Sequence, residues 1–190
     1  MSGAPLLRME NVACIRGGRL LFKGIDLSLN AGGAAVITGP NGAGKSSLIR
    51  VAAGLLRASG GAVARAGNAA LADEGLALDQ KLGLARALRF WAEIDGAAAE
   101  PGMEAFGLGG LRDVPVRMLS TGQRKRAALA RVVAGNAPLW LLDEPLNGLD
   151  AEGTERLASA MARHREAGGA ILAATHQPMP LPDASEVRLG

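Results

Sequence analysis

The sequence predicts an α/β fold: a mostly parallel sheet core with an antiparallel N-terminal β subdomain and a small helical subdomain. Three observations point there. Short apolar runs at 34–38, 139–142 and 170–174 each have the profile of a strand buried on both faces. Helical patterns follow the first two, and strand, helix, strand, helix, strand in that order builds parallel pairs. Two alternating segments, about 4–13 and 20–29, flank Gly17-Gly18 and read as an antiparallel hairpin.

The remaining elements follow in order. Gly32-Gly33 and Gly39 bound the first buried run, and a helix is expected from Gly44 to about Leu56. Residues 57–80, rich in Gly and Ala, read as short strands and turns. Leu82, Leu84, Ala85, Leu88, Trp91 and Ala92 fall near a helical period over 81–96, and 96–101 reads as a break. A second, mostly helical stretch runs to about 135. Within it 121–133 is amphipathic, with Arg124, Lys125, Arg126 and Arg131 away from the apolar face. A further helix is expected over 151–167. One domain over 1–190 accounts for this, with a catalytic core at about 1–76 and 137–190 and the helical subdomain at about 77–136.

Composition narrows the function. The chain has 190 residues, 48% of them apolar and 21% charged, which excludes a disordered tail and suffices for a buried core. Its formal charge is +3, with basic and acidic residues interspersed. The five aromatics are too few and too separated to stack bases, so no nucleic-acid partner is expected. Cys14 is the only cysteine, which rules out an internal disulfide and suits a reducing compartment. No signal-peptide pattern and no membrane-spanning run is present.

The chemistry starts at Gly39-Pro40-Asn41-Gly42-Ala43-Gly44-Lys45-Ser46-Ser47, which fits G-x-x-x-x-G-K-[ST] after a buried strand and before a helix. Its glycines let backbone amides curl toward an anion, and the helix N-terminus adds positive potential. Lys45 is placed to reach β- and γ-phosphates, and Ser46 to ligate Mg²⁺. With 27 Gly in the chain but few Lys, composition alone yields the pattern in about one such chain in 200, so a chance glycine turn is a poor account.

The strand at 139–142 delivers two carboxylates at its carboxyl end, where an α/β sheet binds ligands. Asp143 suits the Mg²⁺ shell, and Glu144 suits orienting or deprotonating an attacking water. Leu119-Ser120-Thr121-Gly122-Gln123 opens the amphipathic helix as a second phosphate binder. One P-loop already wraps one nucleotide's phosphates, so this element is best used on a nucleotide held by another copy of the chain. His176, after the third buried run, is a candidate hydrogen-bond donor to the γ-phosphate.

These elements in this order resemble the nucleotide-binding domain of ATP-binding cassette (ABC) proteins, a P-loop NTPase fold, over nearly the whole chain. Leu-Ser-x-Gly-Gln at 119–123 is the specific part. The resemblance implies ATP and Mg²⁺ as cofactors and ATP hydrolysis. It also implies a homodimer that sandwiches ATP between the P-loop of one copy and Ser120/Gly122 of the other, with Asn147-Gly148-Leu149-Asp150 at the contact. Only 75 positions separate Lys45 from Ser120, too few for long coiled-coil arms, so a transporter-type domain is left. Cys14-Ile-Arg16-Gly-Gly-Arg19-Leu-Leu-Phe22, Pro115-Val116, Arg124-Lys-Arg126 and Thr175-His-Gln-Pro178 are similar to the ATPases of cytochrome c maturation. That resemblance implies integral membrane partners, the cytoplasmic face of the inner membrane, and motion serving haem delivery without direct haem binding. His164 is expected on a solvated helix face. An ATPase of another small exporter and a nucleotide-gated regulatory module are the competing readings.

Three departures from the family pattern stand out. No aromatic precedes Phe22 in the hairpin to stack on adenine, so either Arg16 or Arg19 takes that place, or both are solvated. Thr121 stands where these families usually have Gly or Ala. Where a Gln usually follows the P-loop Lys by about 35 residues, this chain reads Asp73-Glu74-Gly75. Either Gln80 serves from a shifted loop, or an acid takes over, or the contact is missing.

Overall fold

A computed structural model describes residues 4–190. Strands β1 (Leu7–Arg16) and β2 (Arg19–Leu29) form the expected hairpin. Gly17 (φ 55°) and Gly18 (φ 75°) close it, both left-handed as a two-residue hairpin turn requires. The 57–80 segment resolves into β4 (Gly60–Arg65), which adds to the far side of β1 in the antiparallel order β2-β1-β4, and β5 (Ala69–Ala72). The second sheet joins β5 to β3 (Ala34–Thr38), β6 (Leu139–Asp143), β7 (Ala170–Ala174) and β8 (Ser185–Arg188). Its order is β5-β6-β7-β3-β8, with every neighbouring pair parallel.

The period of two divides the central strands between two cores. Leu139, Leu141, Leu172, Ala35 and Ile37 face one side, against α1 (Lys45–Ala53) and the first sheet. Trp140, Leu142, Ile171, Ala173 and Ala34 face the other, against α2 (Leu84–Ile94), α3 (Glu100–Ala105), α4 (Thr121–Ala134) and α5 (Ala151–Glu166). Both faces are covered, which is why these strands are continuously apolar.

The expected elements form, with shifts at their ends. Helix α1 stops at Ala53 because Gly54 (φ 75°) turns left-handed and caps it. The 97–135 stretch is not one helical run: α3 is followed by two 3₁₀ turns, Gly109–Leu111 and Val116–Met118, with Pro115 between them, and Ser120 then caps the start of α4. Strand β8 was not anticipated from the sequence.

His164 corrects a second expectation. Its ring stacks on Trp140, with centroids 3.9 Å apart and planes 10° from parallel, rather than facing solvent. Gly169 makes the space, since a Cβ there would lie 2.2 Å from the imidazole. Burial holds the His164 pKa below the ordinary histidine range, with nearby backbone groups of Ala170 and Pro138 pulling it up.

Candidate nucleotide site

The sheet order brings the carboxyl ends of β3, β7 and β6 side by side. After β3, the loop runs through Gly39 (φ 137°), Gly42 (φ 81°) and Gly44 (φ 104°), conformations that L side chains rarely adopt. Gly39 also has no room for a side chain, because a Cβ would sit 2.3 Å from the Leu189 carbonyl oxygen, just past β8. At the other end of the loop, a Cβ on Gly44 would meet the Phe22 ring at 3.0 Å. The loop is therefore wedged between the two sheets, and α1 begins directly after Gly44 with no acid in its first turn to offset its positive end.

Lys45 is buried and lies across the loop, donating to the carbonyls of Gly39 (2.8 Å) and Pro40 (3.2 Å). Asn41, Gly42, Gly44, Lys45, Ser46, Ser47, Glu144 and His176 line one cavity of about 500 Å³. Asp143 lies buried beneath it, and its Oδ1 has no hydrogen-bond partner. Burial raises the Asp143 pKa above the usual carboxylate value, the adjacent Ser46 hydroxyl draws it down, and Glu144 adds a further push upward.

Glu144 and His176 meet: His176 Nδ1 lies 2.9 Å from Glu144 Oε2. The Glu144 backbone is left-handed (φ 46°), uncommon for a residue with a side chain. Its N–H donates to Ala174 O (2.8 Å), and its carbonyl accepts from Asn147 N–H (3.2 Å) and from Lys125 Nζ (2.9 Å). Sequence reasoning placed Lys125 on a polar helix face and gave it no part in the site. It is half-buried, and burial lowers its pKa while Asp143, Glu74, Glu144 and Asp73 oppose the drop.

Of the residues near the missing Gln, Glu74 reaches the nucleotide cavity wall, Asp73 pairs with Arg50 at 3.8 Å, and Gln80 lines only a neighbouring cavity together with Lys125 and Thr121. Arg16 and Arg19 face each other across the exposed hairpin tip, while the same hairpin gives Leu21 to the nucleotide cavity.

Ser120, Gly122 and Gln123 are not brought to this cavity. Ser120 caps α4: its hydroxyl accepts from Gln123 N–H (3.3 Å), and Gln123 Oε1 accepts from Ser120 N–H (2.9 Å). The hydroxyl accepts in this cap, so its own proton is free to donate outward from an exposed position. Gly122 abuts the 147–150 segment, where a Cβ would lie 3.3 Å from Gly148 O.

A parallel sheet with this loop after β3, paired acids at the carboxyl end of β6 and a helix opening on Leu119-Ser120-Thr121-Gly122-Gln123 defines an ATP-binding cassette, an ATPase. The ABC transporter family model matches residues 22–147, and the chain belongs to that family. More particularly, it is 55% identical over 97% of both chains to the cytochrome c biogenesis ATP-binding export protein CcmA of Sphingopyxis alaskensis. It is also 58% identical to the CcmA of Novosphingobium aromaticivorans over 90% of this chain and 88% of that one. Among solved structures, an ATP-binding subunit of an ABC transporter matches with a TM-score of 0.82 at 24% identity, covering 90% of this chain and 79% of that one. An ABC transporter ATP-binding protein from Pyrococcus furiosus matches with a TM-score of 0.83 at 18% identity over 96% of both chains. These two carry the fold.

Proposed function

We propose that this chain is the ATP-hydrolysing subunit of a cytochrome c maturation export complex, with haem delivery as the process it drives. It acts as one nucleotide-binding unit with an inserted helical part at about 77–136. The observation that carries the site reading is the convergence of Lys45, Ser46, Asp143, Glu144 and His176 on the carboxyl edge of one parallel sheet.

Each residue has a distinct task. The amides of 39–44 and the start of α1 receive the phosphates, and Lys45 donates to the β- and γ-phosphate oxygens. Ser47, inside the first turn of α1, lines the same cavity. Oxygen donors at Ser46 and Asp143, one of them buried without a partner, fit a small hard cation such as Mg²⁺. When bound, Mg²⁺ offsets phosphate charge as the γ-phosphoryl transfers. Glu144 orients the attacking water and accepts its proton. His176, held against Glu144 through Nδ1, turns its other ring nitrogen toward the γ-phosphate. Glu74, at the cavity wall, takes the place of the missing Gln. Arg16 stacks on the base above Leu21.

Ser120, Gly122 and Gln123 serve the nucleotide of a second copy, because their exposed helix end lies outside their own chain's nucleotide cavity. The chain works as a homodimer on integral membrane subunits at the cytoplasmic face of the inner membrane. Among the described residues no helix is long and apolar enough to cross a membrane, so the path for cargo belongs to those subunits.

Affinity capture of the tagged Glu144→Gln chain in ATP from native membranes tests the assignment. Cytochrome c maturation membrane subunits are expected by mass spectrometry, and an unrelated permease overturns the haem reading. In a nucleotide-binding assay, Lys45→Ala is expected to abolish ATP binding, and wild-type affinity overturns the P-loop assignment.

A further inference from the structure

Glu144 occupies a backbone conformation that glycine would adopt without cost. A side chain there is strained, so surrounding bonds must hold it. Two of its three backbone bonds are local to the site: Glu144 N–H to Ala174 O at the end of β7, and Asn147 N–H to the Glu144 carbonyl within the same turn. The third comes from the other layer of the molecule. Lys125 Nζ, on α4, reaches the same carbonyl at 2.9 Å, and a charged donor makes a stronger bond than an amide. We propose that Lys125 is a positioning residue for ATP hydrolysis: it pins the Glu144 peptide in its left-handed form and thereby aims the Glu144 carboxylate.

The geometry explains why a lysine stands here. Relaxation of the Glu144 φ toward its usual negative range would swing the carbonyl away and carry the side chain off His176, 2.9 Å from it. That rotation would break the charge-assisted bond of a half-buried ammonium, which the nearby carboxylates of Asp73, Glu74, Asp143 and Glu144 help to hold charged in place. Lys125 sits little more than a helical turn beyond Ser120, on the helix whose capped end faces outward. Whatever docks on that end therefore bears, through one rigid helix and one hydrogen bond, on the carboxylate that this chain uses for its own nucleotide.

The inference rests on the assignment of Glu144 as the water-orienting carboxylate, and the test separates the two. ATP turnover of the full chain, purified with its membrane subunits, is measured for Lys125→Met, Lys125→Arg, Glu144→Gln and the Lys125→Met/Glu144→Gln pair. Lys125→Met is expected to lower kcat about tenfold with KM for ATP held within about twofold, and Lys125→Arg to recover most of the loss. In the Glu144→Gln background, Lys125→Met is expected to add less than about twofold to single-turnover phosphate release, because both act through one group. Wild-type kcat in Lys125→Met, a parallel rise in KM, or full additivity with Glu144→Gln overturns the inference while leaving the Glu144 assignment intact. Wild-type turnover in Glu144→Gln overturns both. Where Lys125→Met melts early, Lys125→Gln, which keeps an uncharged donor, carries the same readouts.

Discussion

Gly39 is constrained from two sides at once, by its backbone angle and by the Leu189 carbonyl that a Cβ would meet at 2.3 Å. Gly39→Ala is therefore expected to cost about 3 kcal/mol and to lower Tm by roughly 5–10 °C, measured by calorimetry. It should also weaken ATP binding, because the only relief is displacement of the phosphate loop or of the β8 end. The shape of the loop was legible in the spacing of its glycines and lysine, since the local chain alone sets that geometry. The pressure from Leu189 was not legible, because it comes from 150 positions away. Lys125 was hidden for a similar reason: in sequence it belongs to a run of three basic residues, and only the packing of α4 against β5 brings it to Glu144. Glu74 stood among alternatives that sequence could not order, since the loop after β5 has no periodicity to fix which side chain turns inward.

The seam between α5 and β7 makes a different kind of demand. His164 is stacked on Trp140 in its neutral form, and burial lowers its pKa. As pH falls below about 6.5, the unfolded chain takes up a proton that the folded chain resists. The stability from this group is complete above that pH and is lost as pH falls through the folded pKa, with a limiting slope of about 1.4 kcal/mol per pH unit. Urea unfolding from pH 8 to 5 should show this slope in the wild type, and His164→Gln, less stable at pH 8, should show a flatter one. An equal slope in both would remove His164 as its source. Arg163 and Arg165 beside it suggested a solvated face, but helix α5 turns those two away while Gly169 leaves room for the ring between. Among the strands, the three buried runs announced themselves by continuous apolar sequence. β8 is mostly exposed and polar, and the register with β3, not its composition, makes it a strand.

At the scale of the molecule, the helix cap at Ser120 lies outside the nucleotide cavity of its own chain, and the homodimer proposed above would use that cap on the nucleotide of a second copy. Glu144→Gln is expected to form a stable dimer in ATP and a monomer without it, separated by light scattering. A monomer in saturating ATP would count against the paired arrangement. The class of fold was legible from the order of its strands and helices. The number of pieces in the helical part was not, because short 3₁₀ turns lack the apolar period that marks a longer helix. The contact of Gly44 with Phe22 joins the two sheets at the phosphate loop itself. The hairpin and the loop therefore cannot slide past one another without prising open the buried face between them. This contact turns the cavity into a fixed gauge: the span from Leu21 to Gly42 and Gly44 is set by protein packing. If the cavity takes ATP as proposed, its length from base to terminal phosphate is what that gauge would measure.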